Sequence, residues 1–76
     1  MKRERVKERH AEGHISATHM IQNPANSGEW IVFFKKSGGR SFFLVDDHDE
    51  VESFEKLDDL IDTIRGLGIK FAEIHM

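Results

Sequence analysis

The chain has 76 residues, 38% of them hydrophobic and 33% charged, with a formal net charge of −3. That composition is globular rather than disordered, and the length allows one small domain that buries only about 60% of the surface its unfolded chain exposes. The lack of cysteine excludes disulfides and thiolate metal sites. No apolar run approaches the roughly 18 residues of a membrane span, and no apolar stretch follows the charged N-terminus as in a secretory signal, so the sequence is read as cytoplasmic with no membrane partner.

Apart from Met1, residues 1–13 hold one large apolar side chain, Val6. This segment reads as a basic, flexible arm or frayed helix ending near Gly13, ahead of a single α+β domain over residues 14–76. The charge is uneven: residues 1–9 carry a net +3, and residues 10–76 a net −6. Basic arms suit nucleic acid, but the acidic body behind this one repels phosphate.

Residues 14–22 alternate, with Ile15, Ala17, His19 and Ile21 on one side, which is the period of a half-buried strand. Asn23-Pro24-Ala25-Asn26-Ser27-Gly28 is a loop. Residues 29–36 and 41–46 are rich in aromatic and β-branched side chains. Ser37-Gly38-Gly39-Arg40 joins them in a hairpin, because glycine tolerates the positive φ that tight turns need. Residues 46–50 are an acidic turn, and residues 51–54 a short third strand.

Leu57, Leu60, Ile61, Ile64 and Leu67 follow helical spacing, with Asp58 and Asp59 in the first turn and Arg65 in the last. Ser53 is a possible N-cap, and Gly68 is placed to end the helix. Residues 69–75 complete the order as a strand that returns by a right-handed crossover. The fold class is α+β: an antiparallel meander, one helix packed on one sheet face, and a C-terminal strand.

The hairpin strands are apolar on both sides, as in strands buried twice over. Pairing them across Gly38-Gly39 sets Phe34 opposite Phe43 and Val32 opposite Val45. Trp30, Val32, Phe34, Phe43 and Val45 then share one face, and Ile31, Phe33, Phe42 and Leu44 the other, with Lys35 at its end. One helix covers one face. An apolar patch left on the other is unusual for a monomer, so the sequence leads us to expect a non-enzymatic module. It would self-associate as a two-fold dimer, or dock a protein partner, through Trp30, Val32, Phe34, Phe43 and Val45 or the opposite set.

The alternative is a nucleic-acid-binding accessory protein. Its contacts would come from Lys2, Arg3 and Arg5 in the arm and Lys35, Lys36 and Arg40 at the hairpin tip, with Phe33 and Phe42 as a stacking platform. For metals, His10 and His14 are spaced i,i+4 but straddle the region of Gly13, and Asp46-Asp47-His48-Asp49-Glu50 lacks the glycine and distal glutamate of a calcium loop. No metal site, cofactor or small-molecule substrate is expected. The serines lie in no nucleophile-elbow context, and Asp58, Asp59 and Asp62 fall on the exposed side of the helix, so no catalytic residue is nominated.

Overall fold

The computed structural model describes residues 1–76. The elements run α1 (Arg3–Ala11), β1 (Ile15–Asn23), β2 (Asn26–Lys36), β3 (Ser41–Phe43), α2 (Leu57–Gly66) and β4 (Glu73–His75). One four-stranded sheet has the order β3-β2-β1-β4. β2 is antiparallel to both β1 and β3, whereas β4 is parallel to β1. The α+β class stands, but the sheet is mixed rather than an antiparallel meander, and there are two helices rather than one. The mixed sheet follows from α2: β3 runs in the direction of β1, and a helical crossover returns the chain in that same direction.

Alternation along the strands divides the side chains. Thr18 and Met20 of β1 face the same way as their partners Phe34 and Val32 of β2. On this inner side Met20, Val32, Phe34 and Leu44 form one core with Val6 of α1 and with Leu60, Ile64, Leu67 and Ile69 in and after α2. Both helices therefore pack on the same face. The apolar stripe predicted for residues 57–67 is the stripe that docks. After α2, Gly68 adopts φ +90°. Its N–H donates to Arg65 O at 2.9 Å, and the N–H of Ile69 donates to Ile64 O at 3.3 Å. This is a complete Schellman cap, closed by apolar contact of its last residue with the helix. Lys56 is the N-cap, with no side-chain hydrogen bond; Ser53 does not cap and instead bonds Glu29 and Asn23.

The β2–β3 register differs by one residue from the sequence reading. Phe33 lies opposite Phe43, and Phe34 opposite Phe42. The tip is a three-residue loop, closed by the N–H of Lys36 donating to Arg40 O at 2.7 Å, with Gly38 and Gly39 at φ +107° and +94°. A two-residue Gly-Gly turn would have paired Ser37 with Arg40. The extra residue slides β3 by one, and because side chains alternate, the slip exchanges its faces. The third strand of the meander is reduced to single bridges, Val45 to Val51 and Trp30 to Phe54. Of the predicted last strand, only residues 73–75 pair regularly.

The largest departure is at the N-terminus. Residues 3–11 are helical, and Val6 is completely buried. The sequence hides this because α1 has no apolar stripe; one valine fills one gap and polar latches do the rest. Val45 N–H donates to Met1 O, and the Met1 ammonium donates to Phe43 O, both at 2.8 Å. Arg3 makes a two-pronged ion pair with Glu52, its Nε lying 2.8 Å from Oε2. His10 Nε2 donates to Gly68 O at 2.9 Å, tying α1 to the end of α2.

Truncating Val6 to alanine removes the one apolar anchor of α1. We expect Val6→Ala to lower stability by about 2 kcal/mol, read as a lower urea midpoint, with α1 amides exchanging faster than those of β2. A midpoint unchanged from the parent would mean that the helix does not depend on this contact.

Candidate functional site

The outer side of the sheet carries no helix. β2 presents Glu29, Ile31, Phe33 and Lys35 there, and β1 presents Ala17, His19 and Ile21. Phe43 comes from β3, and Glu73 and His75 from β4, by their register with Phe33, His19 and Ile21. Cross-strand pairing aligns the rings into a row that spans all four strands. Phe43 meets Phe33 edge-on, with centroids 5.9 Å apart. Phe33 stacks on His19 at 5.0 Å and 24°. His19 in turn lies 5.0 Å from His75. Such contacts add to simple burial and hold the rings in one geometry.

This side is not uniformly open. Ile31 is only 4% exposed although it lies outside the helix-covered core. Phe33 and Ile21 are half-buried, and Phe43 is 42% exposed. Glu29 marks one end of the β2 row, where its carboxylate accepts a hydrogen bond from Ser53 Oγ at 2.6 Å. Lys35 marks the other end and is exposed.

The side chains that the sequence grouped into one partner face are divided between two. Val32 and Phe34 are fully buried beneath the helices, and Trp30 packs against the same core. Phe43 lies on the outer side, a direct result of the one-residue register difference. Val45 is half-buried and lines a cleft with Lys2 and Arg3. Trp30 therefore reports on the core rather than on the exposed face.

The basic residues are likewise not brought together. Lys2 and Arg3 sit at the start of α1, in a polar cleft of about 490 Å³ with Asp46, Asp47 and Glu52. Arg5 lies 3.9 Å from Glu8. Lys35, Lys36 and Arg40 are at the other end of α1, where Ser37 N–H donates to His14 O. Lys36 places its ammonium 5.2 Å from the centre of the Phe42 ring. Phe33 and Phe42 fall on opposite faces and form no shared platform. The positive arm is thus folded onto the acidic turn.

At the β4 edge, three donor atoms converge that the sequence reading did not group: His19 Nδ1, His75 Nε2 and a Glu73 carboxylate oxygen. The two nitrogens are 2.8 Å apart. Oε2 of Glu73 lies 3.5 Å from the first and 3.6 Å from the second. The signal available in sequence was Glu73-Ile74-His75, two donors on one side of a strand. Its partner His19 becomes visible only once β4 is placed beside β1. His10, His14 and the acidic turn at 46–50 take no part.

In that turn, the Asp46 carboxylate accepts the N–H groups of His48 at 2.8 Å and Glu50 at 3.1 Å. Asp49 takes the left-handed conformation, with φ 61°. No helix is long and apolar enough to cross a membrane. Nothing matches this chain among protein-family models, curated proteins or solved structures.

Hydrogen bonds from the backbone of Glu50 and then His48 hold the Asp46 carboxyl below its ordinary value of 3.8. A carboxyl depressed in the fold stabilises it fully above that ordinary value, and the contribution disappears as the pH falls through the folded-state value. We expect Asp46→Asn to unfold less steeply than the parent between pH 4 and pH 2, measured by urea midpoints at each pH. Parallel curves would show that Asp46 does not set the acid limb.

Proposed function

We propose that this chain is a non-enzymatic interaction module that forms a two-fold homodimer through the outer side of its sheet. The observation that carries the reading is the order along β2: an acid, two apolar residues, then a base, Glu29, Ile31, Phe33 and Lys35. A two-fold axis lying across the strands, in the plane of contact, reverses one β2 over the other. The Ile31 position, itself buried within each copy, then lies over the half-buried Phe33 of the second copy twice, and Glu29 meets Lys35 twice. The pattern is its own complement, as a closed dimer requires. Phe33 and Phe43 supply apolar contact and the terminal charges fix the register, since rim ion pairs contribute more to specificity than to affinity. Face-to-face sheets pack about 10 Å apart, which lets side chains of the two outer sides interdigitate.

A nucleic-acid role has less support. The six bases that would carry it lie at both ends of α1, and Arg3 is held in an ion pair with Glu52. The remaining body is acidic, which opposes a polyanion.

Light scattering and sedimentation at micromolar concentration should give twice the chain mass. Phe43→Lys sits at a half-exposed position and leaves the fold intact, but should weaken association about tenfold or more, equivalent to about 1.4 kcal/mol. Lys35→Glu or Glu29→Lys alone should weaken the dimer, and the two together should restore it. A monomeric parent at all concentrations, or a dimer indifferent to Phe43→Lys, would overturn the reading.

A further inference from the structure

We propose that His19, Glu73 and His75 form a binding site for a divalent transition cation, and specifically for Zn²⁺. The donors fit this class. Two imidazoles and one carboxylate suit zinc and its borderline-soft neighbours, whereas calcium and magnesium select cages made wholly of oxygen. The geometry fits as well. The three donor atoms are separated by 2.8, 3.5 and 3.6 Å, so the circle through them has a radius of about 1.9 Å. A cation about 2.0–2.1 Å from each donor, the usual zinc distance, lies less than about 1 Å out of their plane. In a tetrahedral site with bonds of that length, neighbouring ligands are separated by about 3.4 Å, so the two edges to Glu73 match a face of the tetrahedron and the edge between the nitrogens has to open by about 0.6 Å. An octahedral site at that bond length needs a tighter triangle, with sides of about 3 Å.

The framework that holds the donors is rigid where it matters. His19 lies on a long central strand, its side chain is 14% exposed, and its ring stacks on Phe33. Glu73 and His75 are two residues apart on β4 and so project from the same side, and parallel pairing sets them beside His19 and Ile21. Both are largely exposed, with side-chain exposures of 72% and 51%. In a single copy the fourth coordination position therefore faces solvent, where a water or an external donor completes the shell. Without a cation, the close approach of His19 Nδ1 to His75 Nε2 requires a proton on one of them. Zinc takes the place of that proton, and the ring that gives it up carries its proton on the other nitrogen. The site also joins the end of the chain to the middle of the sheet, so occupancy stabilises β4 by mass action. All three donors belong to one chain, so the site stands whether or not two copies associate.

The test uses the untagged full chain. Calorimetric titration with Zn²⁺ should give one equivalent per chain, and Co²⁺ should show the intense visible bands of four-coordinate geometry. Nitrogen-detected NMR should move the tautomer signals of His19 and His75 and leave those of His14 and His48 unchanged. His75→Ala and Glu73→Gln alter exposed side chains, so their circular dichroism should match the parent while zinc affinity falls about tenfold or more. Ca²⁺ and Mg²⁺ should not compete. Phe43→Lys, which releases the second copy from the same side of the sheet, should still take up one zinc per chain, so the two proposals are read separately. No zinc uptake at neutral pH, affinity unchanged in His75→Ala, or equal binding of Mg²⁺ would each overturn the assignment and leave an ordinary histidine hydrogen bond at a sheet edge.

Discussion

Lys36 and Arg40 close a three-residue turn, and that closure decides which ring lies on which side of the sheet. Side chains alternate along a strand, so the register of β3 against β2 is binary in its consequences. In the observed register Leu44 joins Val32 and Phe34 under the helices, and Phe43 joins Phe33 outside. The inner set forms the core. The outer set builds the aromatic row against which the His19 ring stacks, while the pairing of β1 with β4 sets His19 beside Glu73 and His75. One hydrogen-bonded turn is thus linked to the core and to the exposed face.

The second organising feature is the asymmetry of the helices. α2 docks by an apolar stripe, a cooperative use of many small contacts. α1 docks by one valine surrounded by backbone and charged latches. Of its bases, Arg3 pairs across to Glu52, while Arg5 and Arg9 pair locally with Glu8 and Glu12. Exposed ion pairs contribute little individually, but the Arg3–Glu52 pair is two-pronged and Glu52 is half-buried, which favours one orientation of the helix. With both helices on the inner side, the outer side is left to its own residues.

Much of this was legible in the sequence. The stripe from Leu57 to Leu67, the cap at Gly68 and the two apolar hairpin strands follow from periodicity and glycine chemistry, and they place α2 and the β2–β3 hairpin, though not its register. The failures have physical causes. Val6 is a single apolar residue, and no periodicity signal can arise from one position. Two adjacent glycines fit both a two- and a three-residue tip, so the register of β3 was undetermined and Phe43 was assigned to the wrong face. β4 keeps only three regular residues, and its partner lies more than fifty positions earlier, so nothing local connects Glu73 and His75 to His19.

The outer side of β2 is the proposed contact surface between two copies. An isotope-filtered NOE experiment on a mixture of labelled and unlabelled chains tests it most directly. Contacts between the Phe33 and Phe43 rings of one copy and outer-side protons of the other are the predicted result. Contradiction would come from a spectrum without intermolecular contacts at concentrations where the mass is dimeric, or with contacts confined to residues other than those of the outer face.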